Sequence, residues 1–389
     1  RIAGLVRDLW DRDFTINAIG LDVRVEEAAY VDPTGGMADL ENGIVRITHA
    51  GAIADDPARA LRAIRMALQF GFVIEPETQA AIRAVRGQLG RISAERIRDA
   101  FLKLIMLPQP AKAVRLLHDY GLLDEIIPEL APTRGCTQSP PHHEDVFDHT
   151  LSVLRIVSQI DRDISAATLP PTSPITHLAP LHAHLRDHLN RPIDGNFNGH
   201  QLLRLAALFH DCGKPAARSV DPDGRIRFFQ HEHIGAKLTQ QRLSALKMSN
   251  AAVKYVSTTV RGHMRPFSLT RNAAVSRRAI YRFYKKTGLA GIDICLHSLA
   301  DHLARDRQDD TIDKLFALTS TLLTHYFEAY EDVVQPPKLI DGRDLIRELG
   351  IKPGKEIGRI LAAITEAQAS GDITTREEAF ALAGKTLGD

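Results

Sequence analysis

Asp56 and Arg59 stand three residues apart at the head of the segment Asp55-Asp56-Pro57-Ala58-Arg59-Ala60-Leu61-Arg62-Ala63-Ile64-Arg65. Asp and Pro ahead of Leu61, Ile64 and Met66 at helical spacing read as a helix start, so both side chains fall on its first turn. A carboxylate beside a guanidinium offers one hydrogen-bond acceptor and a fork of donors. Cytosine and adenine present the complement, an exocyclic amino group next to a ring-nitrogen acceptor. Uracil and guanine present the reverse order, and a buried mispaired edge is strongly rejected. Arg62 and Arg65 continue the stripe and could take a triphosphate through bidentate contacts. A capped helix with a solvated arginine face would look the same in isolation. The company of this helix separates the two readings.

Upstream run Asp8-Leu9-Trp10-Asp11-Arg12-Asp13-Phe14-Thr15-Ile16-Asn17-Ala18-Ile19 and Asp32-Pro33-Thr34-Gly35-Gly36-Met37-Ala38-Asp39-Leu40. Downstream comes Ser93-Ala94-Glu95-Arg96-Ile97-Arg98-Asp99-Ala100-Phe101-Leu102-Lys103. In this order the segments resemble the bacterial CCA-adding tRNA nucleotidyltransferase and poly(A) polymerase family. The resemblance covers about the first third of the chain and its last fifty or so residues. It implies that Arg12, Asp13 and Asn17 form a ribose-reading motif, joined by a flexible D-x-x-G-G-x-x-D-L connection to the amino-acid template. Asp55 stands where the family usually has Glu, which leaves the template pair Asp56 and Arg59 intact. The implied substrates are CTP and ATP and the 3′ end of tRNA or another RNA.

Transfer of this kind needs two metal ions, one for the attacking hydroxyl and one for the leaving pyrophosphate. Family members carry a Gly-rich phosphate loop and a D-x-D carboxylate pair on earlier strands. The chain begins at Arg1 and shows neither. Asp11 and Asp13 have the D-x-D spacing, but no Gly-rich turn precedes them, and the resemblance places Asp13 in the ribose motif. The expectation is therefore a fragment with no catalytic residues of its own, inactive in transfer, whose magnesium site lies in a missing segment.

The 389 residues set a prior of about two to four domains with ample core. Lys and Arg number 49 against 48 Asp and Glu, so net charge argues neither for nor against nucleic acid. Between Arg59 and Arg115 basic residues outnumber acidic ones, which suits a phosphate backbone. Three widely spaced cysteines, Cys136, Cys212 and Cys295, fit reduced thiols in a cytoplasm, and Cys212 reads as a packing residue. No apolar run approaches a bilayer span, and no obligate protein partner is evident.

The expected fold is mostly α-helical and multidomain. Residues 1–50 read as the last strands of an α/β nucleotidyltransferase head, with alternation at 17–22 and 44–48 and a turn at Gly35-Gly36. Residues 51–130 read as a helical neck, with Gly71 and Gly121 as helix ends, Pro76 as a start and Pro108 and Pro110 as breaks. Residues 131–335 form an all-α module opened by Pro140-Pro141. Its stretch at about 161–200, rich in Pro, Thr, His and Asn, reads as a surface insertion, its histidines included. Residues 336–389 form a helical tail, with Gly350, Gly354 and a Thr375–Glu378 capping box.

The middle module carries a second chemistry. His142-His143-Glu144-Asp145-Val146-Phe147-Asp148-His149 is followed by His210-Asp211-Cys212-Gly213-Lys214, then Gln230-His231-Glu232-His233 and Leu299-Ala300-Asp301. This order resembles the HD phosphohydrolase superfamily and implies His149, His210, Asp211 and Asp301 as ligands of a divalent metal. Imidazoles with carboxylates suit manganese, iron or nickel, or magnesium with fewer histidines. Adjacent His210 and Asp211 would point about 100° apart within an ideal helix, so joint use needs a helix end. Lys214 is then placed for a substrate phosphate. His231, His233 and His263 are weaker candidates, and Gln230 occupies a position where Gly is expected. By resemblance the tail helps cradle tRNA; a packing appendage is the alternative.

Three functions remain open at this point: nucleotide addition to tRNA or RNA adenylation, a metal-dependent phosphohydrolase, and an RNA-binding scaffold. CCA addition, addition of A alone and poly(A) synthesis share the template pair.

Overall fold

Ala60, Leu61, Ala63, Ile64 and Ala67 are buried along one side of the helix Ala58–Phe70, which ends at Gly71 in the left-handed region at φ 72°. The neck follows the same logic. Pro76 opens the helix Pro76–Ala84 behind a Glu75 cap, Ser93 caps Ala94–Ile105, and Pro110 opens Pro110–Asp119. The helix Ala58–Phe70 packs on the latter two, with Phe101, Leu104, Ile105, Val114 and Leu117 buried. The computed structural model describes residues 2–23, 29–140, 143–271, 274–305 and 311–388. Pro141 and His142 of the sequence motifs lie outside the described residues.

The chain divides into two units. One comprises Arg1–Gln159 and Arg191–Ser257, the other Ile160–Asn190 and Thr258–Asp389. Both are mostly helical, and the strands among the described residues form three two-stranded ladders.

In the first unit the expected strands of residues 1–50 are shorter than the alternation implies. A helix, Ile2–Trp10, precedes them and buries Leu9. Thr15–Asn17 is a 3₁₀ turn, so the strand is Gly20–Asp22, antiparallel to Ala29–Val31. Ile44–Val45 runs parallel to Val73–Ile74. The Gly-Gly connection is held by two carboxylates. Asp32 accepts from the Gly36 and Met37 N–H groups at 2.7 and 2.9 Å, and Asp39 accepts from the Thr15 hydroxyl at 2.7 Å and Arg46 Nε at 3.0 Å. A Cβ at position 36 would lie 2.0 Å from the Thr15 carbonyl, so only glycine lets the connection close on residues 12–17.

In the second unit the expectation of a surface insertion at 161–200 is corrected over 175–190. Ile175, Leu178, Leu181, Leu185 and Leu189 are buried, and the helix His182–Asn190 carries a buried His188 whose Nε2 lies 2.6 Å from Asp293 Oδ1. The leucines do recur at helical spacing, diluted by polar residues of which His188 is buried while Thr176, His184, Asp187 and Asn190 are exposed. The tail helices Gly342–Leu349, Lys355–Ser370 and Arg376–Gly388 enclose their own cluster of Ile340, Leu345, Ile360, Ile364 and Ala379. Asp341 and Asp344 form a reciprocal cap, Gly350 ends the first helix at φ 64°, and Thr375 with Glu378 exchanges capping bonds.

Among the described residues no helix is long and apolar enough to cross a membrane.

Candidate functional site

Four hydrogen bonds to backbone carbonyls build the shelf on which the first site rests. Thr15 N donates to Arg46 O at 2.9 Å, Thr48 N to Asp13 O at 3.3 Å, the Thr48 hydroxyl to Arg12 O at 2.5 Å, and Ala18 N to Thr15 O at 2.9 Å. They fix residues 12–18 in front of the helix Ala58–Phe70. Between them lies an open, polar cavity of about 470 Å³, lined by Asp8, Asp11, Arg12, Asp13, Asn17, Asp56, Ala58, Arg59, Arg62 and Arg96.

Six of the seven nucleotide-binding candidates line this cavity. Asp13 is its organiser: Oδ1 accepts from Phe14 N at 2.9 Å and Asn17 Nδ2 at 3.0 Å, and Oδ2 lies 2.8 Å from Arg62 Nε. Arg12 pairs with Asp8 at 3.1 Å. The seventh, Arg65, is not among the lining residues; it donates to Gln69 Oε1 at 3.1 Å one turn on. Arg65 lies one turn beyond Arg62 on the same helix face, with its guanidinium on Gln69 rather than at the cavity.

Asp56 and Arg59 face the same cavity, as the base-reading arrangement requires, but each is held by a third group. Asp56 sits in extended backbone (φ −141°, ψ 96°) just before the helix. Its Oδ1 accepts from Ala58 N at 3.2 Å and its Oδ2 from Arg96 Nη2 at 2.7 Å. Arg59 donates to the carbonyls of Ala52 at 3.1 Å and Asp11 at 3.3 Å. Sequence reasoning missed Arg96, forty residues downstream; its only local signal is a place on the first turn after the Ser93 cap.

The second cluster lies in the first unit. The helix Gly199–Phe209 stops just before His210, so His210 and Asp211 meet at a helix end, as joint use demands. His149, His210, Asp211, Lys214 and His231 are all buried. His210 Nε2 lies 3.0 Å and Lys214 Nζ 2.6 Å from Asp211 Oδ2, while His231 Nε2 lies 3.3 Å from Asp211 Oδ1. The His149 and His210 rings cross edge to face at 5.8 Å. Nδ1 of His210 faces the Ala207 carbonyl and Nδ1 of His231 the Phe228 carbonyl, both at 2.8 Å. With each Nδ1 turned to a backbone carbonyl, Nε2 is the nitrogen presented to Asp211. Burial pushes the Asp211 carboxyl up, but His210 and Lys214, with hydrogen bonds from His210 and His231, hold it well below the usual carboxylate range.

Lys214 also donates to Gln138 Oε1 at 2.6 Å. His231, a weaker candidate in the sequence, therefore belongs with this cluster, whereas His233 is exposed at its ring. A Cβ on Gly213 would lie 2.2 Å from the His231 carbonyl, so this glycine admits the helix His231–Ala245. Cys212 is buried and its thiol is pushed up to about 12 by that burial, consistent with a packing role. In the second unit Asp301 pairs with Arg305 at 2.7 Å, and the His263 and His297 rings lie 5.7 Å apart.

With this geometry in hand, the family is identified by comparison. Residues 2–46 match the Poly A polymerase head domain, 71–133 the probable RNA and SrmB-binding site of polymerase A, and 229–383 the putative tRNA nucleotidyltransferase domain 2. The A-adding tRNA nucleotidyltransferase of Deinococcus radiodurans is 34% identical over 381 residues, spanning 96% of this chain and 78% of that protein. The CC-adding enzyme of Thermus thermophilus is 30% identical over 385 residues, 97% of this chain and 76% of its own. A solved CCA-adding enzyme in complex with ATP shares the fold at a TM-score of 0.59 with 20% identity, over 98% of this chain and 72% of that one. The chain belongs to the bacterial tRNA nucleotidyltransferase family, whose members are nucleotidyl-transferring enzymes.

Proposed function

We propose that the chain selects CTP and ATP and presents them for addition to the 3′ end of tRNA. The observation that carries this reading is that Asp56 and Arg59 open on the same polar cavity as Arg12, Asp13, Asn17 and Arg62. Asp56 then accepts from the exocyclic amine and Arg59 donates to the ring nitrogen. Asp13 with Asn17 meets the ribose, and Arg62 and Arg12 meet the phosphates. The order of acceptor and donor serves cytosine and adenine alike and rejects uracil and guanine.

Nucleotidyl transfer runs on divalent metal, magnesium in this proposal. Asp13 already serves inside the cavity, with Oδ1 accepting from Phe14 N and Asn17 Nδ2 and Oδ2 beside Arg62. No metal step is therefore assigned to this cavity. Arg59→Ala in the complete native protein tests the template: C and A preference should collapse more than total incorporation falls. An equal loss for all four nucleotides would reject the template role.

A second activity is favoured by one observation, the buried grouping of His149, His210, Asp211 and His231 with two Nε2 atoms directed to Asp211. This donor set fits a first-row divalent cation. Such a cation, when bound, supplies Lewis acidity toward a phosphate ester of a nucleotide or RNA. Asp211→Ala should abolish bound metal, read by elemental analysis, together with any hydrolysis of cyclic or terminal phosphates. The sequence pattern adds Asp301 as a further ligand, and the metal content of Asp301→Asn tests that expectation by itself. The tail's role in holding tRNA is read by loss of tRNA affinity on truncation before 336.

A further inference from the structure

The base-reading carboxylate lies outside the helix it introduces. Asp56 occupies extended backbone between the helices Ala52–Asp55 and Ala58–Phe70, so no helical neighbour restricts its side chain. Its local tie, from Ala58 N to Oδ1, is a 3.2 Å contact within two residues. The shorter bond, 2.7 Å to Oδ2, comes from Arg96 on the first turn of the helix Ala94–Ile105.

That helix is a firm base. Ile97, Phe101, Leu104 and Ile105 are buried on one side of it, and it packs against the helix Ala58–Phe70 that carries Arg59. Arg59 is anchored independently, on the carbonyls of Ala52 and Asp11. The two halves of the template are joined only through the backbone, where Arg59 N donates to Asp56 O at 2.9 Å, and their side chains are fastened to different partners. Their separation is set by what each is fastened to.

We propose that Arg96 is a positioning residue for base selection, holding the Asp56 carboxylate at a fixed distance from Arg59 before a nucleotide arrives. The inference rests on the template reading of Asp56 and Arg59. Hydrogen-bond discrimination works only if the acceptor cannot swing aside when a wrong edge presents a second acceptor. A carboxylate has about four lone-pair sites, so Asp56 keeps its bond to Arg96 while it accepts the exocyclic amine. Arg96 contacts no base in this scheme. The ion pair is half exposed at Arg96, with side-chain exposures of 58% and 32%, so its direct contribution to stability is small. Its effect falls on selection.

The test compares Arg96→Met, Arg96→Lys and Asp56→Ala in the complete native protein. The readouts are kcat/KM for CTP against UTP and ATP against GTP, resolved into KM and kcat. Binding is read in parallel by fluorescence of Trp10, the sole tryptophan, which neighbours the cavity residue Asp11. Arg96→Met should lower both preferences about tenfold or more, mainly through weaker binding of CTP and ATP, with an unchanged melting temperature. Arg96→Lys should recover part of the preference, because a point charge can reach Asp56 without the planar fork. The proposal is overturned if Arg96→Met keeps both preferences within about twofold while Asp56→Ala abolishes them. If Asp56→Ala itself leaves the preferences intact, the template reading falls and this inference falls with it.

Discussion

Arg62 Nε lies 2.8 Å from Asp13 Oδ2, an ion pair that joins two lining residues of the polar cavity across almost fifty positions of chain. The other oxygen of Asp13 binds Asn17 at 3.0 Å. In the proposed reading, one carboxylate therefore sets the spacing between the sugar and phosphate contacts.

Removing it should loosen both contacts together. Asp13→Ala is expected to raise KM for CTP and ATP alike by about tenfold or more, the scale of a lost charge-assisted bond. Arg65→Ala, whose guanidinium bonds Gln69 instead, should change KM by less than about twofold. Steady-state kinetics with both nucleotides checks the pair.

The buried His188–Asp293 pair should matter for stability rather than for selection. Both side chains are almost fully buried and meet at 2.6 Å. Asp293→Ala takes the acceptor from an enclosed imidazole and should cost about 3 kcal/mol. Denaturant unfolding gives the value, and nucleotide preference should stay as it is.

His177 gives the second unit an acid-side weakness. Burial lowers its pKa from the ordinary 6.5 to about 4, where its ring packs 4.2 Å from that of Phe316. Between these values the unfolded chain binds the proton and the native one does not. Stability should therefore fall as pH drops from about 6.5 toward 4 and level off below. His177→Phe should flatten that slope, and a proton NMR titration of the ring should show the low midpoint.

Gln230 sits at φ 60°, ψ 20° immediately before the helix His231–Ala245, in the backbone region glycine prefers. Gln230→Val should cost about 1–2 kcal/mol, since a β-branched residue tolerates that region poorly. Gln230→Gly should be neutral or mildly stabilising, because relief of strain offsets the freedom gained by the unfolded chain. Thermal melts of the two variants distinguish strain from a specific glutamine contact.

Much of this protein was legible along the chain because it is local. The helix start at Pro76, the end at Gly71 and the Thr375–Glu378 box depend on residues within one turn, and the structure shows each. The proximity of Asp56 to the cavity of Arg59 and the meeting of His210 and Asp211 at a helix end were readable for the same reason, since they involve neighbours in sequence. The burial of the leucine face over 175–190 was not, since the Leu178, Leu181, Leu185 and Leu189 spacing is diluted by polar side chains, one of which, His188, finds the enclosed partner Asp293.

By itself, then, the sequence determined many of the helices and their caps, because those depend on spacing of a few residues. Tertiary structure alone decided that Asp56 is fastened to Arg96, Arg62 to Asp13 and His188 to Asp293. Such partners lie far apart in the chain, and charge attraction specifies only that an arginine or histidine should find a carboxylate, not which one; packing of the helices makes the choice.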